Sequence, residues 1–151
     1  MGGLVISRGE RDDFEDAWAI VSEYYNAVGV VVREERTEFL AKYFGDASGV
    51  WLARDGEEIV GCIALHPLDR IPGAGEVKRL YVRPSARRGG IAGLLLGALH
   101  EYARGAGYTT LYLDSKDDLT EAIRFYRKRG YQECERYNDN PQATVFMKLE
   151  L

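Results

Sequence analysis

Apolar residues along the chain keep two rhythms, a period of two and a period near three and a half. The run LVIS at 4–7 predicts a short first strand. Phe14, Ala17, Val21, Tyr24 and Val28 then recur at helical spacing behind an acidic first turn at Asp12 and Asp13, and Gly29 supplies the stop. A second, shorter helix is expected from about residue 34 to 44, with Phe39, Leu40 and Tyr43 as its apolar side. VWLAR and EEIVGCIAL flank Asp55-Gly56, which predicts a hairpin. Beyond Glu58 the second of these strands is apolar on both faces and belongs in the centre of a sheet.

After a loop with Pro67 and Pro72, GEVKRLYV gives a strand that ends at Arg83-Pro84, because the residue before a proline is turned away from helix. Ile91, Leu94, Leu95, Ala98, Leu99 and Tyr102 form a helical stripe that Gly105 and Gly107 can end. Residues 108–114 read as a strand. LTEAIRFYRKRGY reads as a helix with Thr120 near its start, a basic last turn and Gly130 as its C-terminal cap. YQECERY and ATVFMKLEL give two last strands around residues 138–141. The order is β α α β β β α β α β β. Strand 76–82, helix 91–103 and strand 108–114 make a βαβ unit, which implies a right-handed crossover and a parallel pair. With hairpins on either side of that unit the sheet is mixed, so the class is α+β.

A chain of 151 residues suits one domain, 1–151, with a sizeable core. No apolar run approaches the roughly 20 residues that cross a membrane, and the start of the chain is too weakly apolar for a secretory signal. Gly2 would fit a myristoylation motif only with Ser or Thr at position 6, where Ile6 stands. A cytoplasmic protein with no membrane partner is expected. Cys62 and Cys134 match no metal or redox spacing and read as small buried hydrophobes, so no metal is expected. A net charge of −4 argues against a nucleic-acid partner. Locally the sign reverses: between Gly75 and Gly90 stand Lys78, Arg79, Arg83, Arg87 and Arg88 against the single acid Glu76.

That patch ends in the turn RRGGIA, between a strand and a helix. A helix start presents unpaired N–H groups and the positive end of the dipole. Glycines let the backbone come close to an oxyanion, and arginines add charge-assisted hydrogen bonds. Together they suit a phosphate group, although a solvated basic turn would look the same in isolation. No Lys-Ser/Thr follows the glycines, as a nucleotide-binding Walker loop needs, and the dinucleotide glycine spacing is missing.

At this turn the chain resembles the GCN5-related N-acetyltransferases, whose pattern Arg/Gln-x-x-Gly-x-Gly/Ala stands here as Arg87-Arg88-Gly89-Gly90-Ile91-Ala92. GEVKRLYVRP upstream is similar to the family's preceding strand. AIRFYRKRGY downstream is similar to its Ala-x-x-x-Tyr-x-x-x-Gly-Phe/Tyr helix ending. The resemblance implies the acyl-CoA N-acyltransferase fold of α/β three-layer sandwich type. That fold has a mixed sheet of six to seven strands, a splayed parallel pair and about four helices.

Acetyl-CoA is implied as donor and a primary amine of a small molecule or peptide as acceptor. The implied cofactor contacts are Arg87, Arg88, Gly89, Gly90, Ile91 and Ala92 for the pyrophosphate. Leu80, Tyr81 and Val82 would pair with the pantetheine through their backbone. The family's frequent Asn before the last of these helices is replaced by Leu119, so that contact is expected to be absent or to come from Ser115 or Asp118. Tyr126 matches the general acid, with core packing beside Phe125 as the alternative. Glu76 is assigned as general base acting through water, or else as a strand-end carboxylate paired with a cation. Tyr24, Lys78, Arg79 and Tyr137 are candidates for the acceptor side, where Lys78 and Arg79 suit a carboxylate or form a solvated cation pair. His66 reads as structural. A non-catalytic acetyl-CoA-binding module is the competing reading, and both a monomer and a homodimer are compatible with the sequence.

Overall fold

The computed structural model describes residues 3–30, 34–87 and 89–151. Seven strands and four α-helices follow one another as β1 (Leu4–Arg8), α1 (Phe14–Val28), α2 (Arg36–Tyr43), β2 (Gly49–Asp55), β3 (Glu58–Pro67), β4 (Ala74–Val82), α3 (Ile91–Gly105), β5 (Thr110–Ser115), α4 (Thr120–Lys128), β6 (Gln132–Glu133) and β7 (Val145–Glu150). The strands form one sheet in the order β1-β2-β3-β4-β5-β7-β6. All neighbouring pairs are antiparallel except β4 with β5. The expected βαβ unit is therefore present, with α3 as its crossover.

Alternation along the central strands builds two cores. Trp51, Ala53, Ile63 and Leu65 pack toward α3 and α4, against Leu95, Leu96 and Leu99. Val50, Leu52, Cys62 and Ala64 pack toward α1 and α2, against Ala17, Val21 and Phe39. Helices thus cover both faces of the sheet in three layers, which is why β3 reads as apolar on both sides. Leu99 is fully buried, and burial of a leucine side chain contributes about 2 kcal/mol.

Two expectations change at the end of the chain. The strand expected across YQECERY is only Gln132–Glu133. Beyond it Arg136 donates to the carbonyls of Asn138, Asn140 and Ala143, which gathers 137–143 into a loop. Cys134 is half-buried, whereas Cys62 has no exposure. Among the described residues no helix is long and apolar enough to cross a membrane.

β4 and β5 pair only from Ala74↔Thr110 to Glu76↔Tyr112 and then separate. The cause lies in β4. Lys78 pairs with Ala64 and Tyr81 with Cys62, so Arg79 and Leu80 share the space opposite Ile63. Arg79 takes a left-handed backbone conformation, φ 61°, to make this bulge. A bulge adds twist and bends its strand, here away from β5.

Candidate active site

The gap opened by this bend is the inner end of a cavity of about 930 Å³. β4 lines it with Val77, Lys78, Arg79 and Leu80, β5 with Asp114 and Ser115, and α4 with Thr120, Ala122 and Tyr126. Tyr24 of α1 and residues 139–143 close the remaining sides. The β4–β5 ladder stops at Glu76, so among the described residues the edge of 80–82 that would face β5 has no strand beside it. Tyr81 and Val82 turn their side chains away from the cavity. Tyr81 is buried against the α1 side and donates its hydroxyl to Glu23 at 2.8 Å.

Beyond Arg87 at the outer end, α3 begins on Gly90, in the left-handed conformation with φ 72°, and among the described residues no side chain caps its first N–H groups. An aspartate or serine in place of Gly90 would fill that position with its own oxygen. Gly89 and Gly90 are exposed, Ala92 is half-buried and Ile91 is buried. Arg87 lines the cavity and donates Nε to the Val82 carbonyl at 2.9 Å, which holds its guanidinium beside the turn. Arg88 lies outside the described residues.

Tyr126 is both core and cavity wall. Its ring meets Phe125 and Tyr131 edge-on, and only 8% of the residue is exposed. Its hydroxyl makes no hydrogen bond among the described residues. Burial, more than the neighbouring Tyr131, pushes the Tyr126 phenol above the usual tyrosine range, so the proton stays on oxygen. Phe125 packs at the edge of the same core, half-buried beneath the Arg129 guanidinium.

Glu76 is 4% exposed and does not line the cavity. His66 Nε2 lies 2.7 Å from Oε1, while Tyr137 Oη and Asn138 Nδ2 donate to Oε2 at 2.7 and 2.9 Å. Burial opposes the charge, but the bond from His66, the nearby Lys78 ammonium and the bond from Tyr137 outweigh it. Together they hold the Glu76 carboxyl down at about 2. The geometry at Glu76 thus differs from that of an open base: three partners already meet its two oxygens and its proton affinity is low. Tyr137 is drawn to this network and lines a second cavity of about 610 Å³ with His66. Arg79 is likewise engaged. It donates to Glu34 at 2.9 Å, lies over the Tyr25 ring and is only 11% exposed, so it is no solvated cation.

Sequence reading missed Asp114, Asn138 and Asn140. Asp114 receives Asn138 Nδ2 at 2.7 Å and Asn140 Nδ2 at 3.3 Å and faces the cavity beside Lys78. Asp114 read only as a strand end, and the two asparagines only as turn formers. Their common partner becomes visible when the loop folds back over β5.

The acetyltransferase (GNAT) family model matches residues 11–131. The chain belongs to the GNAT acetyltransferases. This GNAT protein is 35% identical over 147 residues to an uncharacterized N-acetyltransferase of Schizosaccharomyces pombe, covering 92% of this chain and 89% of that one. A GNAT acetyltransferase from Staphylococcus aureus shares the fold with a TM-score of 0.83 at 19% identity, over 98% of this chain and 99% of that one. An N-acetylglutamate synthase from Neisseria gonorrhoeae, solved with coenzyme A and N-acetyl-glutamate, has a TM-score of 0.79 at 19% identity. It covers all of this GNAT chain with 36% of its own. The protein is an N-acetyltransferase that uses acetyl-CoA. Its residues fit that co-substrate: an uncapped, glycine-entered helix start suits a diphosphate, and the free edge of β4 suits an extended amide chain.

Proposed function

We propose that the acetyl group passes directly to the primary amine of a small molecule or peptide, with both substrates held at once between β4 and β5. The observation that carries this reading is the opening of the sheet just beyond Glu76, bordered by Tyr126 on one side and reaching Arg87, in the turn before α3, on the other. Acetyl-CoA supplies a thioester whose C–S bond breaks as the amine forms a C–N bond, the sulfur gaining one proton and the nitrogen losing one.

Each residue then has a part. The N–H groups of residues 89–92, with Arg87 and Arg88, hold the diphosphate. The backbone of Leu80, Tyr81 and Val82 holds the pantetheine, and an N–H of that stretch polarises the thioester carbonyl. Ser115 lines the wall opposite. Tyr126 supplies the proton to sulfur, for which its raised phenol is well stocked at any working pH. Tyr24, Lys78 and Arg79 shape the acceptor side. Glu76 acts indirectly. Its carboxylate fixes Tyr137 and Asn138 beside the opening and faces the Lys78 ammonium, and the amine proton leaves through water instead of passing straight to an anion of such low basicity.

Thiol release from acetyl-CoA across amino acids, polyamines, aminoglycosides and basic peptides tests the reading. Release with at least one amine, at a rate that depends on both concentrations in a sequential pattern, is expected. Saturable coenzyme A binding without release on any amine would oppose it.

A further inference from the structure

Two opposite charges on the acceptor side have unfilled hydrogen-bonding capacity. Lys78 Nζ lies 3.6 Å from Glu76 Oε1 and 3.9 Å from Asp114 Oδ2, too far to donate to either, and it donates to nothing else among the described residues. Asp114 receives both asparagine amides on Oδ2, which leaves Oδ1 without a partner among the described residues. Both side chains line the cavity, 15% and 13% exposed. Neither atom is fully buried, unlike the unpaired Tyr43 Oη and Arg79 Nε, so water reaches both and a ligand entering the cavity can take its place. Elsewhere in the cavity the inner charges are already matched: Glu34 takes Arg79 on one oxygen and Lys42, at 3.2 Å, on the other.

Backbone register explains why these two meet. Glu76↔Tyr112 is the last parallel pair, and Lys78 and Asp114 each stand two residues further on. With a period of two they project on the same face, as the next cross-strand pair of a ladder that has opened.

We propose that Lys78 and Asp114 form a subsite for the two charges of a free α-amino acid, its ammonium on Asp114 Oδ1 and its carboxylate on Lys78 Nζ. This rests on the acetyl-transfer reading above and narrows its acceptor to zwitterions. Glu76 at 3.6 Å already opposes the Lys78 charge, so a plain ammonium on Asp114 is tolerated electrostatically but leaves the Lys78 donors unfilled. A zwitterion meets each charge with its opposite and leaves the local net charge unchanged. Glu38 and Asp139, also on the cavity wall, favour the opposite case of a polycationic acceptor, and the experiment separates the two.

Initial rates of thiol release compare several L-amino acids with their own amides, with the amines left by removing the carboxyl group, and with a diamine. The expected kcat/KM for the amino acids exceeds the others by about tenfold or more, as one charge-assisted hydrogen bond supplies. Lys78→Met lowers the amino-acid value more than the amide value and brings the ratio toward one, and Lys78→Arg restores part of it. Coenzyme A titration of both variants checks that they fold. Equal or better use of amides, plain amines or the diamine overturns the subsite, while thiol release itself leaves acetyl transfer standing. With no turnover on any amine, calorimetric titration of L-amino acids into the protein with coenzyme A decides. Saturable binding that Lys78→Met abolishes supports the subsite, and absence of binding overturns it.

Discussion

Replacing Glu76 by Gln removes a buried charge whose surroundings can be read atom by atom. The carboxylate accepts from Tyr137 and Asn138, bonds His66 and faces the Lys78 ammonium at 3.6 Å. An amide keeps one acceptor oxygen but turns an NH₂ group toward either the Tyr137 and Asn138 donors or the histidine. The folded carboxyl sits at about 2 against 4.5 for a free glutamate, a difference worth about 3 kcal/mol of stability. At 4% exposure solvent does little to reduce it. Because the folded value is the lower one, this contribution is fully present above about pH 4.5 and is lost as pH falls toward about 2. Urea unfolding of both proteins at several pH values measures it. The variant should be less stable by about 3 kcal/mol near neutrality, and the two curves should converge in acid. A difference below about 0.5 kcal/mol at neutral pH would refute the reasoning, since that is the scatter of unremarkable surface changes.

Tyr126→Phe should lower kcat by about a hundredfold or more while acetyl-CoA affinity and thermal midpoint barely move, because the lost hydroxyl has no hydrogen bond among the described residues. An unchanged kcat takes Tyr126 out of the chemistry. In pH–rate profiles neither Glu76, ionised down to about 2, nor Tyr126, raised by burial, places a limb between about pH 5 and 9. The rate should therefore climb only with the neutral fraction of the acceptor amine, in Glu76→Gln as in the parent. A limb that vanishes in that variant would contradict this. Gly90→Ala puts a side chain on a left-handed residue, costs about 1 kcal/mol and weakens acetyl-CoA binding. Gly97→Ala, inside the same helix with open space around it, stabilises by about 0.5–1 kcal/mol. Calorimetric titration and melting curves separate the pair. Gly75→Ala would set a Cβ 2.9 Å from both Leu65 and Tyr108 where β4 meets β5, and should destabilise by about 1–3 kcal/mol.

Periodicity made the sheet and its four helices legible, because each element buries a face against a neighbour and carries the mark of it. Val50 to Ala53 and Leu95 to Leu99 are plain examples. The glycine-entered start of α3 was legible too, since left-handed backbone at Gly90 is what glycine permits. The bulge was not. Arg79 is no turn former, and its φ of 61° follows from tertiary context, where Glu34 and the Tyr25 ring hold the guanidinium in place. The same holds for Glu76. Its place in the sequence suggests an available carboxylate, and only the return of residues 137–140 across the sheet reveals how fully it is engaged. The loop pinned by Arg136 is not marked in ECERY, where no glycine or proline breaks the run, so the end of the strand could not be read there.

The central claim is that the bare amides at the start of α3 and the free edge of β4 together seat acetyl-CoA. A crystal structure of the protein grown with coenzyme A tests it most directly. The account predicts diphosphate oxygens against the N–H groups of residues 89–92, with the pantetheine running beside Leu80 to Val82. A coenzyme bound elsewhere, with those amides facing water or satisfied by the protein's own side chains, would contradict it.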